Sequence, residues 1–271
     1  MTLKGSRKKS KFLSPKDQKN KKIAQILCIA GIVGILIQFL YFFIKYGRLS
    51  DWWCIVIYWI IFIMPGYLAD AMMVVVGGGR PLDNGKLAKD GRRLFGPGKS
   101  LRGFLLGPLT GGLIALGIHS ILYWQWGTIE TAVANFVADP NVFYNFYNND
   151  PDLLLADLSL YLLGDKSSNP SLLTFLKLIP RVFLCAYGAA LGDLFGSWAK
   201  RRKNIERGQP FWIVDQIDFL SGCLILAGWF VFLPISAHVP HVLIMMIIIT
   251  PTITILANNL SYMTGHKSVP W

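Results

Sequence analysis

The sequence predicts an all-α polytopic membrane protein of about six transmembrane helices, with both termini cytoplasmic. Three observations lead there. Of 271 residues, 53% are hydrophobic and only 15% charged, with a mean hydropathy of +0.45; soluble domains carry roughly 25% charged residues. The apolar residues fall into runs that can cross a bilayer, for which about 20 suffice. The charge, a net +12, is gathered between those runs.

Nine cations from Lys4 to Lys22 precede the first run. This basic tail (1–22) fits a cytoplasmic anchor on anionic lipid beside a membrane span, and nucleic acid is not expected as a partner. The expected spans are 23–44, 52–76, 101–124, 179–199, 217–235 and 242–260. Pro234 fits the end of the fifth, and Pro251 predicts a kink in the sixth. Lys and Arg set the orientation. The loop 77–100 carries Arg80, Lys86, Lys89, Arg92, Arg93 and Lys99, and the loop 200–216 carries Lys200, Arg201, Arg202, Lys203 and Arg207. Both are expected in the cytoplasm. The first turn, with Lys45 and Arg48, and the long acidic loop 125–178 are expected outside. Cys28, Cys54, Cys185 and Cys223 each stand alone in an apolar run. They read as small buried hydrophobes, with neither a disulfide framework nor a zinc site. No internal repeat of the kind that marks many transporters is visible.

The densest chemistry lies where the fourth span ends and the fifth begins. Asp193, Ser197 and Lys200 are spaced i, i+4, i+7 and share one helical face, while Gly188, Gly192 and Gly196 allow a second backbone to approach. Asp215 and Asp218, at i and i+3, face the same way. The pair also reads as a helix start of capping-box type, and a cap can also be a ligand. Ionisable groups at a membrane boundary are functional candidates. Carboxylates plus substrate phosphates are the usual surroundings of Mg²⁺, so Asp193, Asp215 and Asp218 are the expected metal ligands, with Lys200 beside them.

The loop 77–100 and the residues just after it form the second half of the expected site. Gly85, Gly91 and Gly98 let backbone N–H groups approach phosphate oxygens. Arg92, Arg93, Lys99, Arg102 and Arg201 supply phosphate contacts. Asp83, Asp90, Ser100, Ser197 and Gln216 complete the candidate substrate-binding set. Gly98-Lys99-Ser100 is not a Walker A motif, because the first glycine of that motif would fall at Arg93 and no strand precedes it. His119 reads as a packed residue, and His238 and His241 as an outer-face pair remote from this cluster.

Gly192-Asp193-x-x-Gly196-Ser197-x-x-Lys200-Arg201-Arg202 followed by Asp215-Gln216-x-Asp218-Phe219 resembles the CDP-archaeol synthase family. Gly79-Arg80-Pro81-x-Asp83-x-Gly85, the run Asp90 to Gly103, and the final Val269-Pro270-Trp271 resemble it too, so that residues 60–124 and 180–271 are covered. The resemblance implies a membrane cytidylyltransferase (residues 51–271) with a five-span core, to which residues 1–50 are an addition. Its substrates would be CTP and the inner-leaflet ether lipid 2,3-bis-O-(geranylgeranyl)glycerol 1-phosphate, and its products CDP-archaeol and pyrophosphate. Mg²⁺ is the expected cofactor, with K⁺ as a second ion, and the isoprenoid chains are expected in an apolar groove between spans. Bacterial CDP-diacylglycerol synthases, which act on phosphatidic acid, are relatives, but Gln216 stands where they carry Arg and their His-Gly-Gly element is missing. Asp70 departs from the family, which usually has Asn there. A CDP-alcohol phosphotransferase would need a denser run of aspartates. A transporter would carry its charges on a midplane path rather than at one face.

Overall fold

The computed structural model describes residues 15–46, 50–138, 150–206, 208–232 and 238–264, without the side chains of Tyr46, Gln216 and Ser261. Most of the basic tail, Arg48, Arg207, Pro234 and the terminal Val269-Pro270-Trp271 lie outside the described residues.

The described chain is helical: α1 (Pro15–Tyr46), α2 (Ser50–Val75), α3 (Leu101–Trp124), α4 (Trp126–Ala138), α5 (Pro151–Leu163), α6 (Leu172–Arg202), α7 (Val214–Ala227), α8 (Trp229–Phe232) and α9 (Val239–Met263). Five of these, α1, α2, α3, α6 and α9, are long and apolar enough to cross a membrane. The expected fifth span is different. It folds as the 14-residue α7 and the short α8, which meet at Gly228. The expected outer loop 125–178 contains α4 and α5, the latter capped by Asp150 at its start and by left-handed Gly164 at its end. Helix α9 runs unbroken across Pro251.

Two glycine seams set the packing. Gly188 and Gly192 of α6 lie against α7, where an added side-chain carbon would fall 2.5 Å from the Gly222 carbonyl oxygen and 2.1 Å from that of Asp218. On α3, such a carbon at Gly111 would fall 2.5 Å from the Ala69 nitrogen of α2. Without side chains in the way the helix backbones meet directly, which is how small residues drive association where lipid supplies no hydrophobic force. Helices α2 and α6 pack together between these seams. Their contact includes the buried Cys185 Sγ–H, which donates to the Phe62 carbonyl. All four cysteines are free.

Away from the basic loops, Tyr58 stacks on Tyr161 with ring centroids 4.6 Å apart. Buried Asp157 pairs with Lys166 and with His238 Nδ1 at 3.0 and 3.2 Å, joining α5 to the start of α9. His119 is enclosed, with its ring nitrogens on the carbonyls of Ala115 and Ile61.

The seam gives a stability prediction. Gly192→Ala puts a methyl where the Asp218 carbonyl sits, and overpacking of this kind costs about 1–3 kcal/mol. Its melting temperature in detergent should fall well below that of the parent. An unchanged temperature would mean that α6 and α7 are not in backbone contact.

Candidate active site

The site is built where α2 ends, α3 begins, α6 ends and α7 begins. Two buried or clasped carboxylates shape the loop that closes it. Asp83 is 3% exposed. It accepts hydrogen bonds from the backbone N–H groups of Gly85, Phe95 and Gly96 and from two nitrogens of Arg93. Burial pushes the Asp83 carboxyl up, but Arg93 and the N–H groups of Gly96, Gly85 and Phe95 outweigh it and hold the group well below the usual carboxylate range. Asp90 accepts from the Arg92 N–H at 3.2 Å and from Arg202 at 2.5 Å. Arg202 also donates to the Arg93 carbonyl, and its own carbonyl accepts from Arg92. The loop is therefore clasped to the end of α6. Gly85 and Gly91 turn it with positive φ, +79° and +74°. Ser100 caps α3 by accepting from Gly103, and it accepts from Gly78 as well.

Three cavities meet behind this loop. The first, about 360 Å³, is lined by Asp70, Asp193, Asp215, Asp218 and Lys200, together with Tyr67, Gln209, Thr254 and Asn258. The second, about 290 Å³, shares Asp70 and Asp193 with it and adds Lys99, Ser100, the backbones of Gly77, Gly78 and Gly98, and the apolar Met73 and Phe104. The third, about 210 Å³, is cationic, with Lys99, Lys200, Arg201 and Ser197 facing Gly96, Gly98 and Gly208. Lys99 bridges the second and third, and Lys200 the first and third.

Opposite charges hold the junction together. Lys99 is paired with Asp193. Lys200 is paired with Asp215 at 2.7 Å, and Asp215 also accepts from the Phe211 N–H. Asp218 accepts from the Phe219 N–H and is pressed against Gly196, where an added carbon would fall 2.1 Å from its Oδ2.

The expected residues thus divide. Asp193, Lys200, Asp215, Asp218, Lys99, Gly98, Ser100, Ser197 and Arg201 come together at the cavities. Asp83, Asp90, Arg93 and Arg202 are engaged within the loop and its clasp. Arg92 and Arg93 border a further recess with Arg201. Arg102 is exposed in the first turn of α3. The backbone of Gln216 lies in α7, and its side chain is outside the described set. Among the described residues no three His, Cys, Asp or Glu side chains converge as a ready metal site. Sequence reasoning missed Tyr67, Gln209, Thr254 and Asn258 as cavity walls. Asp70, a carboxylate near the end of an apolar helix, carried a signal that went unassigned.

Comparison with known proteins supplies the family. The family model CarS-like: CDP-archaeol synthase matches residues 52–137 and 153–271. The chain belongs to the CDP-archaeol synthase family. Family members with that name include one from Thermococcus kodakarensis, 34% identical over 220 residues, covering 81% of this chain and 99% of that one. Another, from Methanocaldococcus jannaschii, is 35% identical over 211 residues, covering 78% and 94%. A third, from Methanococcoides burtonii, is 32% identical over 213 residues, covering 77% and 99%. A solved structure, "Structural insight into an intramembrane enzyme for archaeal membrane lipids biosynthesis", overlays with a TM-score of 0.43 at 26% identity, covering 73% of this chain and 91% of that one. The protein is a multi-pass membrane enzyme of the cytidylyltransferase type, and helix α1 lies outside the matched residues.

The Asp83 network predicts a pH signature. Its folded carboxyl lies below the unfolded value of about 3.9. Its contribution is therefore complete above that value and is lost as pH falls from there toward the folded one. Asp83→Asn leaves buried donors facing an amide, a loss of about 1–3 kcal/mol. The melting-temperature gap between parent and variant should be full at neutral pH and should narrow below about pH 4. A gap absent at neutral pH would contradict the network.

Proposed function

We propose that this chain transfers CMP from CTP to the phosphate of 2,3-bis-O-(geranylgeranyl)glycerol 1-phosphate, releasing pyrophosphate and forming CDP-archaeol. The observation that carries this reading is the junction of an acidic cavity, a mixed cavity and a cationic cavity at Asp193, Lys99 and Lys200. Such a junction suits two phosphorylated substrates that must meet. Family membership supports the same reading.

The chemistry is a displacement at phosphorus. An oxygen of the lipid phosphate forms a new bond to the α-phosphorus of CTP while the bond to the β-phosphate bridge breaks, and the electron pair leaves with pyrophosphate. The attacking phosphate is already anionic and needs no strong base. Catalysis is then mainly positioning and charge neutralisation. Lys99, Lys200 and Arg201 would hold the triphosphate in the cationic cavity, with Ser197 and the backbones of Gly96 and Gly98 within the same walls. Asp83, Asp90, Arg93 and Arg202 would act through the loop by fixing where Lys99 and Gly98 stand.

The donors at the acidic cavity fit a hard cation in type. Two of them, Asp193 and Asp215, already carry a cationic partner in Lys99 and Lys200. Mg²⁺ typically takes one or two carboxylates plus substrate phosphates rather than a complete protein cage. Asp193, Asp215 and Asp218 are the proposed Mg²⁺ ligands, with K⁺ as a second ion. When bound, Mg²⁺ would neutralise the phosphate oxygens as charge shifts to the leaving group. The basic loops would place the site at the cytoplasmic face, with the lipid drawn from the inner leaflet.

The test is turnover of radiolabelled CTP by the solubilised full chain with Mg²⁺. The geranylgeranyl ether lipid phosphate and a diacyl phosphatidic acid are offered in parallel. Labelled CDP-lipid is expected from the ether acceptor. Asp215→Asn and Asp218→Asn should lower its rate by about a hundredfold or more, while both variants stay folded. Lys203→Ala, which changes only a residue capping α6, should keep the parental rate. Product from the diacyl acceptor alone would overturn the substrate, and no product from either would overturn the reaction.

A further inference from the structure

We infer that α1 forms one wall of the groove that holds a hydrocarbon chain of the lipid acceptor, so that a helix outside the family-matched residues helps set chain recognition. The inference rests on the lipid-phosphate acceptor proposed above.

An apolar groove of about 320 Å³ lies between α1, the start of α7 and the middle of α9. Ala30, Gly31 and Gly34 of α1 face Ile217 of α7 and Ile247 and Ile255 of α9 across it. The small residues of α1 create the space. At Gly31 the helices touch so closely that an added carbon would fall 1.9 Å from Thr252 Oγ1. Beside that contact, Ala30 is exposed and leaves the gap open.

Three observations name the occupant. First, the groove and the acidic cavity are lined by neighbouring residues of the same chain segments. Ile213, just before α7, and Ile217 within it line the groove, and Asp215 and Asp218 of α7 line the cavity. Helix α9 lends Ile255 to the groove and Thr254 and Asn258 to the cavity. A molecule with its phosphate at the acidic cavity therefore has apolar side chains within about one helical turn along α7 and α9. Second, Ile213 holds φ +73°, a conformation costly for a β-branched residue. It is 64% exposed and immediately precedes the helix that bears both carboxylates. The strain lies in a groove-lining residue two positions before Asp215. Third, α1 carries Lys16, Lys19, Lys21 and Lys22 in the turns before Leu27, which also lines the groove. An apolar slot with cations at one end complements an anionic lipid rather than a neutral one.

Kinetics of the full chain on two acceptors tests this. Ala30→Trp and Ile247→Trp each fill the groove from a different helix. The kcat/KM ratio for a geranylgeranyl ether lipid phosphate over a short-chain analogue should fall about tenfold or more, the loss expected from excluding two or three methylene groups. An unchanged ratio in both variants would overturn the inference. If the variants are inactive on both acceptors, labelling of the unmodified chain decides. An ether lipid phosphate with a photoreactive group at its chain end should label the α1 segment 27–34, and labelling confined to other helices would overturn the inference. Labelling reads chain position without turnover, so it is separable from failure of the proposed reaction.

Discussion

The close approach of α6 and α7 is the constraint on which the rest of the site depends. These helices bear Asp193, Lys200, Asp215 and Asp218, and their backbones come into contact at Gly188, Gly192 and Gly222. With any larger residue at Gly192 or Gly196, α7 would stand further off and its two carboxylates would leave the cavity that Asp193 shares. The spacing of four between the glycines is the spacing of one helical face. The same face continues into Lys200, so one periodicity specifies both the contact and the charge beside it.

The loop between α2 and α3 meets a different demand. It must bring backbone N–H groups and cations to a polar cavity without regular structure of its own beyond two isolated bridges. Asp83 does this by gathering five donors around one buried carboxylate, and Asp90 by anchoring Arg202. Hydrogen bonds to a charged acceptor are roughly twice as strong as neutral ones, and so the loop is held in place although Arg80, Lys86, Lys89 and Arg92 are exposed. The cations thus have separate duties. Arg93 and Arg202 build the loop, and Lys99, Lys200 and Arg201 face the space it encloses.

Much of this was legible in the sequence. Apolar runs of span length gave α1, α2, α3, α6 and α9, because length and hydropathy alone decide such helices. The i, i+4, i+7 pattern of Asp193, Ser197 and Lys200 gave the site face of α6. The role of Asp83 was not legible. An aspartate among glycines and arginines looks the same whether it binds a ligand or organises the loop, and only its five internal donors distinguish the two. The helices α4 and α5 were hidden because their segment reads as acidic and interrupted. Tyr67, Gln209, Thr254 and Asn258 come from three separate chain segments, and no local pattern links them. The groove beside α1 was invisible for the same reason, since Ala30 and Gly34 become a wall only once α9 is opposite.

The most direct test of the account is Gly196→Ala. Its methyl would occupy the place of the Asp218 carboxylate, 2.1 Å from Oδ2, while the loop stays held by Asp83 and by Arg202. The account predicts a protein that CTP still stabilises thermally but that transfers CMP at least about a hundredfold more slowly. Near-parental turnover in that variant would contradict the claim that the α6–α7 contact places Asp218 for the reaction.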